Sequence, residues 1–308
     1  MQVLSKIDRF MRAERVTDPA DAVGESPVWR PSEEALYWVD IPGRRIHRLH
    51  VASGKRRSWE TREPVACIAF DARGLVIAGM ETGIFTLELR DDGKVAAERV
   101  AAPQFAMPGM RFNDGRCDRQ GRFWAGTMHN DIPAGHAVGA LYRYTREEGL
   151  TGPAATHLYT QNGLAFSPDG RVMYLSDSHP KAQVIWAYDY ECANGTPHAR
   201  RVFVDMNRHP GRPDGAAVDV DGCYWTCAND AGLVHRFTPA GDLDRSLEVP
   251  VKKPTMCAFG GPKLDTLYVT SIRPARAEDL ATQPDAGAVF ALRPGVQGIA
   301  ETEFGAHQ

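Results

Sequence analysis

The stretch "QNGLAFSPDGRVMYLSDS", Gln161–Ser178, carries two turn signals close together. Asn162-Gly163 is a dipeptide that commonly closes a hairpin. Pro168-Asp169-Gly170 marks a second turn only a few residues later. Two such turns leave room for just one short strand between them. The alternation in "LAFS" and "VMYLS" places strands on either side of the second turn. Asn162 is therefore expected at the head of a strand, where a polar residue needs another reason to be present.

The same pattern recurs along the chain. Asn162, Phe166 and Gly170 match Asn113, Cys117 and Gly121 in "NDGRCDRQGRFWAGTM". They match Asp214, Val218 and Gly222 in "DGAAVDVDGCYWTCAN", and Ala66, Phe70 and Gly74 in "ACIAFDARGLVIAGME". Looser copies begin at Glu25 in "ESPVWRPSEEALYWVD" and at Thr255 in "TMCAFGGPKLDTLYVT". The intervals between the six register positions are 41, 47, 49, 52 and 41 residues. That is the period of a four-stranded propeller blade, roughly 40 to 50 residues. Each copy reads as strand, turn rich in Asp and Gly, strand. A further strand follows each pair, in "RIHRLHV", "GIFTLELR", "GALYRYT", "VIWAYDY", "LVHRFTP" and "AVFALRP". No sustained helical period is read beyond the first dozen residues, and Ala275–Thr282 reads as one short helical turn. The fold class expected is all-β, a six-bladed β-propeller forming one domain over residues 1–308; a generic sandwich or barrel is the competing architecture.

Composition narrows the function. The 308 residues are 43% hydrophobic and 24% charged, as in ordinary globular chains. A formal net charge of -3 without a basic cluster gives no footprint for a nucleic-acid partner. No run is long enough for a membrane helix, and "MQVLSKIDRFMRAERV" lacks the apolar core of a signal peptide, so a cytoplasmic protein is expected. The six cysteines, Cys67, Cys117, Cys192, Cys223, Cys227 and Cys257, are spread without zinc spacing or scaffold density and read as buried free thiols.

In a propeller the register positions Glu25, Ala66, Asn113, Asn162, Asp214 and Thr255 face one another around a central channel. Four of them are carboxylates or carboxamides. Partly buried carboxylates need a cation, hydrogen bonds or a proton. Glu, Asp and Asn are hard oxygen donors, so the set favours Ca²⁺, Mg²⁺ or Mn²⁺ over a thiolate zinc site. The other reading is that polar residues and waters merely plug the axis.

These residues also carry a family resemblance. "GESPVW" (Gly24–Trp29), "RFNDGRCDRQGRFWAGTM" (Arg111–Met128), "NGLAFSPDG" (Asn162–Gly170), "PDGAAVDVDGCYW" (Pro213–Trp225), "CAFGG" (Cys257–Gly261) and "DAGAVFAL" (Asp285–Leu292) resemble the gluconolactonase/regucalcin, or senescence marker protein, family. The resemblance runs from about Ala22 to about Gly298. It implies a six-bladed propeller that hydrolyses a sugar lactone such as glucono-, L-arabinono- or D-xylonolactone, with one divalent ion (Ca, Mn, Mg, Zn or Fe(II)) in the channel. Carried over by motif, the metal ligands fall on Glu25, Asn162 and Asp214, and the substrate contacts on Arg111 and Asn113. Asp131 stands where animal members have a Glu. In that chemistry Asp214 is the candidate general base. The competing functions are a non-enzymatic calcium-binding regulator and a hydrolase of another ester or organophosphate.

The remaining signals read as structural. Trp29, Trp124 and Trp225 are expected to pack blades. His47, His129, His136, His157, His179 and His209 read as surface or loop residues, with His129 nearest the presumed mouth. Asp177 and Asn229 are candidates to orient the ligands.

Overall fold

The structure is a computed structural model describing residues 13–306; the chain's first dozen residues, with their helical period, lie outside them. The repeat becomes six four-stranded sheets. A two-residue strand, β1 (Glu14–Arg15), precedes the first blade, which holds β2 (Gly24–Arg30), β3 (Ala35–Asp40), β4 (Arg45–His50) and β5 (Lys55–Glu60). Blade two holds β6 (Val65–Phe70), β7 (Val76–Met80), β8 (Ile84–Leu89) and β9 (Val95–Ala101). Blade three holds β10 (Met110–Cys117), β11 (Phe123–His129), β12 (Gly139–Thr145) and β13 (Gly149–Leu158). Blade four holds β14 (Gln161–Phe166), β15 (Val172–Asp177), β16 (Val184–Glu191) and β17 (Thr196–Asp205). Blade five holds β18 (Arg212–Val218), β19 (Tyr224–Asn229), β20 (Leu233–Phe237) and β21 (Leu243–Glu248). Blade six holds β22 (Pro254–Gly260), β23 (Thr266–Ser271) and β24 (Phe290–Leu292), with a short helix α1 (Ala277–Ala281) inside the expected helical turn.

The Asp-Gly turn that marks the repeat has one physical cause. The carboxylate oxygen of Asp118 accepts from the N–H of Gln120 and Arg122, at 3.0 and 2.9 Å. Asp71 does the same for Arg73 and Leu75, and Asp219 for Asp221 and Cys223. The side chain thus satisfies backbone donors that the tight turn leaves unpaired.

Each seam between neighbouring blades has its own apolar cluster. Tyr37, Trp59 and Phe70 sit between blades one and two, and Trp124, Leu164 and Tyr190 between three and four. Trp225 and Phe259 join blades five and six, while Trp29, Trp38 and Tyr268 join six and one. The core is therefore six wedges around an axis, and the three tryptophans expected to pack blades do so.

Two terminal segments close the ring. β1 pairs with β24 through Glu14↔Ala291 and Arg15↔Phe290, supplying the outer strand of the last blade from the start of the chain. At the other terminus, Val220 donates to Gln297 O, Phe304 donates to Phe70 O and Gly305 donates to Gly121 O. Residues 297–305 therefore cross from blade five to blades two and three. Beneath them the buried Arg116 donates to Ala216 O at 2.7 Å across the channel and pairs with Glu301 at 3.3 Å.

Candidate active site at the channel mouth

The innermost strands are β2, β6, β10, β14, β18 and β22, and each carries a slip in its ladder at the register position. The breaks fall between Glu25 and Val28, Val65 and Cys67, Phe112 and Gly115, Asn162 and Ala165, Pro213 and Ala216, and Pro254 and Cys257. A bulge of this kind re-aims side chains at a strand end. This is what Asn162-Gly163 does: it lies inside β14, and Gly163 has φ 61°. A Cβ there would lie 2.4 Å from Tyr224 Oη and 2.5 Å from Ser176 Oγ, so only glycine fits.

The bulged ends are joined from blade to blade. Thr255 Oγ1 donates to Gly24 O, Asn113 Nδ2 to Gln161 O at 2.7 Å, Ser178 Oγ to Pro213 O, and Asn229 Nδ2 to Pro254 O at 3.3 Å. Every acceptor is the carbonyl just before a register position. Hydrogen bonds around the rim thus hold the register residues against one another.

Of the predicted site residues, Arg111, Asn113 and Asn162 touch one another there. Asn113 Nδ2 lies 3.2 Å from Asn162 Oδ1, and Asn162 Nδ2 donates to Ser178 Oγ at 2.8 Å. Asp214 is buried, and one of its oxygens accepts from Asn229 Nδ2 at 2.7 Å. Arg111 Nη1 donates to Asn113 Oδ1 at 2.8 Å, and its Nε donates to Asn130 Oδ1 at 2.9 Å. Glu25 is half-buried and accepts from the N–H of Ser26. Ala66 and Thr255 complete the ring without a charge.

Burial and mutual repulsion act on the acids of the mouth. Burial raises the Glu25 carboxyl well above the usual range, and the nearby carboxylates Asp214 and Asp114 raise it further. Burial pushes Asp214 up to about 7; Asn229 and Arg212 oppose this, while Asp114 and Asp230 add to it. Asp114, the residue after Asn113, is itself raised, chiefly by burial. One of its oxygens accepts from Leu164 N–H at 2.8 Å, and the other has no hydrogen-bond partner among the described residues. Burial lowers Arg111 to about 10, against the pull of Glu25, so it stays a cation at neutral pH. Among the described residues neither Glu25 nor Asp214 forms an ion pair.

Other expectations are modified. Asp131 is exposed and turned into its own loop, where one oxygen accepts from Ala134 N–H at 3.2 Å. Its neighbour Asn130 is the residue that holds Arg111. Asp177 accepts from the N–H groups of Tyr159, Thr160 and His179, so it fixes the entry to blade four rather than a ligand. His47 and His179 are buried, not superficial. His179 accepts from Lys181 N–H on Nδ1 and reaches Ile132 O with Nε2 at 3.0 Å, tying the segment after β11 to blade four. All six cysteines are free, but Cys192 is only half-buried. Asp114 and Asn130 were not singled out from the sequence; the carboxylate directly after the register amide Asn113 was the available signal for the first.

Fold and site together define a class: a six-bladed propeller whose inner strand ends gather acids, amides and the arginines Arg111 and Arg212 around the channel mouth. The chain belongs to the SMP-30/gluconolactonase/LRE-like family, whose model matches residues 23–273. It is 39% identical over 284 residues to 6-deoxy-6-sulfogluconolactonase of Pseudomonas putida, covering 92% of this chain and 94% of that one. It is 33% identical to a pentonolactonase of Haloferax volcanii, covering 94% and 97%. The solved structure of a calcium-binding protein, regucalcin, from Agrobacterium tumefaciens superposes with a TM-score of 0.87 at 26% identity, covering 96% and 97%.

Proposed function

We propose that this protein hydrolyses a sugar lactone, using a divalent cation held by Glu25, Asn162 and Asp214. What supports this reading is that Glu25 and the buried Asp214, which Asn229 holds, stand at equivalent bulged strand ends beside the Asn113–Asn162 amide pair, and among the described residues neither carboxylate forms an ion pair. Such a set is costly alone and fits a hard divalent ion. When bound, the ion supplies Lewis-acid polarisation of the lactone carbonyl and acidifies water. The all-oxygen donors favour Ca²⁺, Mg²⁺ or Mn²⁺.

The chain's own groups supply the rest. Asn229 fixes one oxygen of Asp214, leaving the second to take the proton of the attacking water. Addition to the carbonyl carbon and cleavage of the ring ester bond then need that proton returned to the departing ring oxygen, which opens the ring to the aldonic acid. Arg111 and Asn113, fixed to each other and to Asn130, hydrogen-bond the sugar hydroxyls. Asp131 would join them only if its loop turn opened. Names of relatives support the substrate class: the P. putida and H. volcanii relatives are lactonases of sugar derivatives. We further infer a single propeller domain over residues 1–308 and, from the free cysteines, residence in the reducing cytoplasm. No helix among the described residues is long and apolar enough to cross a membrane.

A titrimetric assay over glucono-, arabinono- and xylonolactone with Mn²⁺, Mg²⁺, Ca²⁺, Zn²⁺ or Fe²⁺ tests the reading. Asp214→Asn should keep the fold and lose about 10²-fold or more in turnover. Near-native turnover in that variant would remove the base. Glu25→Gln should weaken cation binding by calorimetry, and unchanged affinity would exclude Glu25 as a ligand. The regucalcin neighbour favours a second reading, a calcium-binding protein without catalysis. Calcium binding with no turnover on any lactone would establish it.

A further inference from the structure

We propose a second binding site, for a compact oligophosphate, in the groove between blades one and two near the face opposite the channel mouth. The groove encloses about 490 Å³. Five cationic side chains line it: Arg30, Arg48, Lys55, Arg57 and Arg73. Only two carboxylates, Glu33 and Asp91, stand against them. In a chain of net charge -3 this is a local concentration of positive charge.

The repeat itself supplies a control. The matching groove between blades four and five is of equal size, about 500 Å³. It is lined by one cation, Arg201, and two carboxylates, Asp169 and Asp221. Blade geometry therefore does not dictate the basic character; the residues of blades one and two do.

Part of the charge is held in place. Glu33 accepts from Arg48 Nε at 2.9 Å and Tyr37 Oη at 2.7 Å, and pairs with Arg30 at 2.8 Å. One carboxylate thus fixes two guanidinium groups and neutralises only one of them. Arg30 also lies over the Phe70 ring at 4.7 Å, and a Cβ on Gly74 would come within 2.9 Å of its Nη1. Arg57 sits over Trp59 at 5.7 Å, and its partner Asp91 is almost wholly solvated, so that pair is screened. Lys55 forms no ion pair among the described residues, and Arg73 reaches Asp71 only at 3.9 Å. Prefixed arginines beside unneutralised cations suit a ligand with two or more adjacent phosphate groups, each able to take forked hydrogen bonds. The aromatic rings are already covered by guanidinium groups, so the phosphates rather than a base would be read.

The test is calorimetry of the full chain, stripped of cations by chelation, with inorganic pyrophosphate, ADP and orthophosphate. Pyrophosphate is expected to bind saturably at one site and at least tenfold more tightly than orthophosphate. Lys55→Glu combined with Arg73→Glu should weaken it at least tenfold and leave lactone turnover unchanged. Arg201→Glu, in the control groove, should leave it intact. ADP binding as tightly as pyrophosphate identifies a nucleotide as a competent source of the diphosphate; ADP binding much more weakly identifies the inorganic ion. Absence of saturable binding, equal affinity in the double variant, or displacement by chloride at matched ionic strength overturns the proposal. The binding outcomes do not depend on the channel chemistry.

Discussion

Removing cations should make this protein less stable as pH rises, and Asp214 sets the size of the effect. An unfolded aspartate titrates near 3.9, whereas burial raises Asp214 to about 7 in the folded chain. Between those values the folded state holds a proton that the unfolded state has released. A raised carboxyl therefore contributes stability that is full below pH ~4 and lost as pH climbs toward 7. At about 1.4 kcal/mol per pH unit, and with the folded carboxyl half titrated at pH 7, the interval from pH 5 to 7 costs about 2 kcal/mol. For a chain of this size that is on the order of 5 °C in unfolding midpoint. Glu25, raised for the same reason, acts in the same direction. The assay is thermal unfolding in chelator at pH 5 and 7, for wild type and Asp214→Asn. The variant has no charge to bury, so its midpoint should move much less, and at pH 7 it should exceed wild type. Saturating divalent cation should reverse the trend for wild type alone. Parallel pH dependence in the two chelated proteins would refute the argument, because the burial of this carboxyl would then carry no stability cost.

Two further outcomes follow from the rim. Gly163→Ala forces a left-handed residue against Tyr224 Oη and Ser176 Oγ and should cost about 2 to 4 kcal/mol in urea unfolding; a change under 1 kcal/mol would contradict the bulge geometry. Asn229→Ala removes the hydrogen bond that opposes the rise of Asp214, so the acidic limb of the pH–rate profile should move to higher pH, and an unmoved limb would separate Asn229 from the base.

Most of the architecture was legible because the blade repeat is written in turn chemistry. Asp71, Asp118 and Asp219 each satisfy the donors of the following turn, so Asp and Gly recur at fixed offsets from the inner strand. The register also placed Asn113 against Asn162, and Asn162 one hydroxyl away from the carbonyl before Asp214. Closure was not legible: a two-residue strand such as Glu14–Arg15 has no periodicity to detect, and its place in blade six is decided by its partner β24. Nor did the register distinguish Asp114 from Asn113, because a bulge lets consecutive residues on one strand both serve the interior. Asp131 illustrates a further limit. Motif alignment gives its place in a loop, but Ala134 N–H and the neighbouring Asn130 decide which side chain reaches Arg111.

The carboxy-terminal segment that ties Val220, Phe70 and Gly121 together, with Arg116 and Glu301 beneath it, straps three blades across the face opposite the channel mouth. On the function proposed, a lactone entering at the mouth and the acid leaving it would share a doorway beside Arg111. The departing anion would pass a guanidinium that attracts it, so traffic through that doorway, as well as the chemistry inside, would govern how fast the enzyme is ready again.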